Sequence, residues 1–240
     1  MDNNRYTIPF PFPYKELVIR EENFLHPSFI HGVGHTYRVM MLSAVLADKL
    51  GWSDLCQEVI WAAALHDTQR QHDGEDKKHG LMAAQKNIPV YLEKMKQQGM
   101  QPNAIEAVAF AMTQHSFPQE PSVNHPYYRT AAVLKEADAL DRVRMNGLDK
   151  SFLRFEDKVH STALSYALFE QLLNHVVAWG GEDYRPIAEA TWEWITLQNA
   201  SLVEYMDDCK SRFGESVPQE FFRILNDAAF YVDFLDIHAV

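Results

Sequence analysis

The chain has 240 residues, 47% hydrophobic and 23% charged, enough to bury a substantial core, which excludes intrinsic disorder and a fragment dependent on disulfide staples. Twenty-two Lys and Arg against 33 Asp and Glu leave a formal net charge of −11, so the surface repels a phosphate backbone and nonspecific DNA or RNA binding is not expected. No apolar run approaches the roughly eighteen residues of a membrane span, the opening Met1-Asp2-Asn3-Asn4-Arg5 lacks signal-peptide order, and Cys56 and Cys209 form no metal or redox motif, so a soluble cytoplasmic protein is expected, its oligomeric state left open.

Ile8-Pro9-Phe10-Pro11-Phe12-Pro13 alternates proline with apolar residues and reads as extended chain, so residues 1–30 are expected to form an arm packed on the body. After Gly34 the spacing becomes helical: Val39, Leu42, Leu46 and Leu50 share one stripe, and Gly51 closes the helix. Ser53 is placed to cap a second helix with Leu55, Val59 and Ala62 on one face, running to about His66. The polar stretch Gln69 to Lys78 predicts a loop. Further helices are predicted over 80–98, 102–115, 127–143, 158–178, 185–208 and 218–235, divided by glycine and proline. No sustained period-two alternation and no repeat is present, so the fold class is all-α: a core over 31–150 and C-terminal helices over 151–240 packed on the same domain.

Histidine is the unusual residue, eleven in all, six of them from His26 to His79. His35 precedes Val39 on its stripe by one turn, so the helix aims it inward. His66 continues the Leu55, Val59, Ala62 stripe; His115 continues Ala104, Val108, Ala111; and Asp138 continues Tyr127, Ala131, Leu134. One buried histidine is ordinarily satisfied by a backbone carbonyl. A buried carboxylate costs several kcal/mol unless it is paired or bound to metal, and a shared cation accounts for all four positions at once. Asp67 adds a second carboxylate beside His66 at a helix end.

These residues, His35-x-x-Arg38-Val39, then His66-Asp67, then Ala137-Asp138, resemble the HD superfamily of metal-dependent phosphohydrolases, a helical-bundle family. The tract His66-Asp67-Thr68-Gln69-Arg70, followed by Asp76-x-x-His79-Gly80, is similar to members with an HDxGR loop, with Gln69 where glycine is usual. The resemblance covers residues 30 to about 150 and implies that His35, His66, Asp67 and Asp138 hold one metal. It also matches His79 and His115 to the histidines of members that hold two, with Asp67 as the bridge.

Two imidazoles and two carboxylates with open positions suit Mn, Fe, Ni, Co or Zn better than Mg. Such an ion activates water and polarises a phosphoryl oxygen. Cations or donors near the ligands, His31, Arg38, Arg70, Lys77, Lys78 and Arg142, are candidates for holding a phosphate, and Arg70 leads them because it lies three residues beyond Asp67 and carries a bidentate fork. The expected activity is hydrolysis of a nucleotide or other small phosphate ester, with Asp67 and Arg70 as catalytic residues and His31, Arg70, Lys78 and Arg142 as substrate contacts. A di-iron oxygenase on the same scaffold and a binding module with a structural metal are the alternatives.

Overall fold

A computed structural model describes residues 19–28, 30–142 and 149–155. The described residues form five α-helices and no strand, in the order α1 (Val33–Lys49), α2 (Cys56–Leu65), α3 (His79–Gln97), α4 (Pro102–His115) and α5 (Tyr128–Leu140). The predicted helices from 158 onward and most of the predicted arm lie outside the described residues. Contacts divide the chain into two units, residues 19–138 and residues 1–18 with 139–240.

In the first unit α1 packs on α2, α2 on α4, and α3 on α4. The predicted stripe understates α1, because every residue from His35 to Ala47 is buried. A helix buried all round is a central element rather than an amphipathic face of the surface. Tyr37, Met40, Met41, Leu42 and Leu46 of α1, Trp61 and Leu65 of α2, Met95 of α3, Met112 of α4 and Leu134 of α5 are the largest side chains sealed from solvent. Gly51, at a φ of 72°, ends α1 in the left-handed conformation that glycine adopts without strain.

Ser53 does not cap α2. Residues Ser53–Leu55 form a 3-10 turn, and the Ser53 hydroxyl donates to Asp48 Oδ1 at 2.6 Å, tying this turn back to the end of α1. Asp48 offers a charged acceptor, which a serine hydroxyl bonds more strongly than it accepts from a neutral amide. Helix α5 is anchored by its polar residues: Thr130 Oγ1 donates to Glu58 Oε2 of α2 at 2.8 Å, and Lys135 Nζ donates to the carbonyls of Phe117 and Gln119 at 2.9 and 3.0 Å while pairing with Glu120 at 2.8 Å. One lysine thereby holds the loop that links α4 to α5.

The described part of the second unit contains a 3-10 turn, Lys150–Phe152, opened by Asp149, whose carboxylate accepts the Ser151 N–H at 2.9 Å.

Helices α3 and α4 meet closely at Gly80. A β-carbon there would collide with the Met112 carbonyl oxygen and stand 2.8 Å from His115 Cε1. Gly80→Ala is therefore expected to lower stability by about 1–3 kcal/mol through overpacking, although alanine is the better helix former. Urea unfolding checks this; an unchanged or raised midpoint contradicts so close an approach.

Candidate metal centre

Helix ends deliver the polar side chains. His35 lies in the first turn of α1, His66 and Asp67 directly follow α2, His79 opens α3, His115 is the last residue of α4, and Asp138 lies in the last turn of α5. All six belong to the first unit. His35 and His66 are fully buried, the side chains of Asp67, His79 and His115 are between 2% and 5% exposed, and Asp138 is 34% exposed.

Backbone carbonyls set the tautomers. His66 Nδ1 lies 2.6 Å from Ala63 O, His115 Nδ1 lies 2.6 Å from Met112 O, and His79 Nδ1 bonds Asp76 O. Each acceptor is the carbonyl three residues earlier, and those of Ala63 and Met112 are among the last four of their helices, which no intrahelical N–H reaches. A carbonyl only accepts, so each Nδ1 carries the proton and each Nε2 presents a lone pair.

The Nε2 atoms of the four histidines converge. His35 Nε2 and His66 Nε2 are 3.2 Å apart, and His79 Nε2 and His115 Nε2 are 2.7 Å apart. Asp67 faces both pairs. Its Oδ1 lies 2.9 Å from His79 Nε2 and 3.5 Å from His115 Nε2, while Oδ2 lies 3.4 Å from His35 Nε2 and 3.6 Å from His66 Nε2. Asp138 Oδ1 adds contacts of 3.4 Å to His35 Nε2 and 4.0 Å to His66 Nε2.

Facing lone pairs at these separations repel unless a proton or a cation lies between them. Two ligand atoms each about 2.1 Å from one ion stand roughly 3–3.5 Å apart, close to most of the separations found here. Ligand atoms of His35, His66 and Asp138, and likewise of His66, Asp67 and His115, lie within 4.8 Å of one another. The residues present therefore fit one or two divalent cations.

Protonation agrees. Burial pushes His66 down to about 3 against the opposing pull of Asp67, so its imidazole is neutral at physiological pH, the form that ligates. Burial raises the carboxyl pKa of Asp67, but His66 and the other imidazoles around it outweigh that and hold the group well below the carboxylate range. Asp138 is also held low: burial opposes its charge, and His35 and His66 overcome that. His79 moves the other way, because the Asp67 carboxylate outweighs burial and raises its affinity for a proton.

Of the expected substrate contacts, Arg70 sits beside the cluster. Its Nη1 lies 3.5 Å from Asp67 Oδ1, its Nη2 donates to Gly74 O at 2.7 Å, and its buried Nε has no hydrogen-bond partner. His31 stands edge-on to His35, with 5.8 Å between ring centroids, and its side chain is 15% exposed. Lys78 is exposed just before α3 and bonds Asp76 Oδ1 through its backbone N–H; Lys77 pairs with Glu75 at 3.0 Å; Arg142 is exposed and belongs to the second unit.

The supporting roles of three residues, Asp76 of the quoted tract among them, escaped the sequence reading. Asp76 Oδ1 accepts the N–H groups of Lys78 and His79 at 3.0 and 3.2 Å, and the Asp76 carbonyl orients the His79 ring. Asp76 placed three residues before a histidine at a helix start was the available signal. Asn87 Nδ2 donates to Thr68 Oγ1 at 2.7 Å, fixing the turn after Asp67, a tertiary contact without a local signature. Asp73 gathers Ser28, His31 and His26 across more than forty residues of chain. The substituted Gln69 is buried, its Nε2 bonded to Thr68 O at 2.8 Å.

Removing a cation from this cluster re-exposes the lone-pair repulsion. Chelation is expected to lower the melting temperature, by the equivalent of about 2.7 kcal/mol where the ion stood at a hundredfold excess over its Kd, and zinc or manganese should restore it. Differential scanning calorimetry checks this; identical melting with and without chelator contradicts a metal site.

Among known proteins, residues 32–143 match the HD domain. No curated protein matches the chain, and no solved structure does. With the His and Asp cluster inside the matched stretch, this chain carries an HD domain over residues 32–143.

Proposed function

We propose that this protein is a metal-dependent phosphohydrolase or phosphodiesterase acting on a nucleotide or other small phosphate ester. The observation that carries the proposal is Asp67, whose two oxygens face two separate pairs of histidine Nε2 atoms. His35, His66, Asp67 and Asp138 would hold one divalent transition cation, and His79 and His115 a second, with Asp67 shared. Such ions supply Lewis acidity, lowering the pKa of water and polarising a phosphoryl oxygen.

The protein's own groups do the positioning. The backbone carbonyls of Ala63, Met112 and Asp76 keep three Nε2 lone pairs aimed inward. Arg70 supplies the phosphate contact: Gly74 O holds one edge of its guanidinium, and the buried Nε without a partner is a donor that an anionic oxygen would satisfy.

Loss of a charge-assisted contact costs roughly 1.5–3 kcal/mol, so Arg70→Ala should lower kcat/KM on a phosphate ester about ten- to a hundredfold with metal retained. Asp67→Ala should abolish turnover and metal binding together. A panel of esters and cyclic nucleotides with Mn, Ni, Co or Zn, alongside metal analysis, checks both. Oxygen uptake by the iron-loaded protein, with no ester turned over, would replace this reading with oxygenase chemistry.

The two halves should also differ in acid. His66 is pushed down to about 3, whereas His79 has its proton affinity raised above the ordinary histidine value of 6.5. A proton competes with a cation for the same lone pair, so an ion held through His79 should leave first as pH falls through the ordinary histidine range. Metal stoichiometry should step from two to one between neutral and mildly acidic pH, and His115→Ala should start at one. Release of all metal in a single step contradicts the split.

A further inference from the structure

His31 and Asp73 form a pair that the proposed hydrolysis does not use. Ser28 Oγ accepts the N–H groups of Ile30 and His31 at 3.0 and 2.9 Å, so its own hydrogen is turned to Asp73 Oδ1. The same Oδ1 lies 3.1 Å from His31 Nδ1. A carboxylate accepts only, so Nδ1 carries the proton. The side chain is only 15% exposed, and burial disfavours the charged ring. The neutral ring then presents a lone pair at Nε2. No side chain or backbone group among the described residues bonds that atom, and the edge-on packing against His35 puts the ring at the border of the metal cluster.

From this geometry we infer that His31, set by Asp73, is an acceptor for a hydrogen-bond donor on the substrate, so the preferred ester carries a hydroxyl on its organic part. This rests on the phosphohydrolase reading and narrows its substrate class. Phosphate oxygens are themselves acceptors, so the expectation that His31 grips phosphate gives way to recognition of the alcohol portion. Asp73 is a positioning residue: it selects the tautomer and touches no substrate. Its carboxylate also lies 3.6 Å from His26 Nε2, at the exposed end of the same network.

The test compares propyl phosphate with 2-hydroxypropyl and 3-hydroxypropyl phosphate on the zinc-loaded full chain, by turnover and by calorimetric binding. At least one hydroxylated ester should be preferred by about tenfold or more, since a site built to bond a hydroxyl leaves a polar group unpaired with the analogue lacking it. Asp73→Ala should bring that ratio toward one, and Asp73→Asn, whose amide oxygen still accepts from Nδ1, should restore it. Nitrogen-15 shifts of the His31 ring in the wild-type zinc protein should show the proton on Nδ1, a readout that needs neither variant nor turnover. Equal handling of all three esters, or a proton on Nε2, overturns the inference. Hydroxyl-dependent binding without hydrolysis overturns the phosphohydrolase reading alone, and failure to bind any ester overturns both.

Discussion

The Asp67 carboxylate, buried among four imidazoles, is the constraint around which the described core is arranged. A lone carboxylate in such surroundings would cost several kcal/mol, and facing imidazole lone pairs add repulsion. Neither is tolerable unless positive charge resides between them. The protonation directions state the same demand: the carboxylates are held ionised, His66 is held neutral, and Asp67 raises the proton affinity of His79.

Helix termini meet this demand at little extra cost. The last carbonyls of a helix have no N–H of their own helix to accept, and a buried end normally needs a cap or water. Here the imidazoles of His66 and His115 fill that role at the ends of α2 and α4, so one hydrogen bond both satisfies the helix end and orients a ligand atom. Such outer partners tune basicity and geometry as much as the ligands themselves do. Close packing of α3 on α4 at Gly80 then brings His79 against His115.

The polar loop between α2 and α3 is built as carefully as the helices. Asp76 fixes the start of α3, Gly74 holds Arg70, and Asp73 reaches back to Ser28 and His31 ahead of α1. With Leu25 N–H donating to Thr68 O at 2.9 Å, the segment before α1 is stitched to the loop by both backbone and side chains. One rim of the cluster therefore consists of two segments distant in sequence, which is where substrate discrimination would reside.

The sequence by itself determined the all-helical class, the bounds of α1 to α4 to within a residue or two, and the inward aim of His35, His66, His115 and Asp138. Each depends on a period of 3.6 residues, and a local repeat reports which face of a helix is apolar. The HD match over 32–143 lies within the stretch that those residues mark. Tertiary structure alone decided that α1 is sealed on every side and that Ser53 turns to Asp48 instead of capping α2, and it set the distances at which Asp67, already expected as a bridge, faces two histidine pairs. It also decided the places of Asp73 and Asn87, whose partners lie more than forty residues and 19 residues away. A hydrogen bond between distant segments depends on how helices cross, and no period along a chain encodes a crossing.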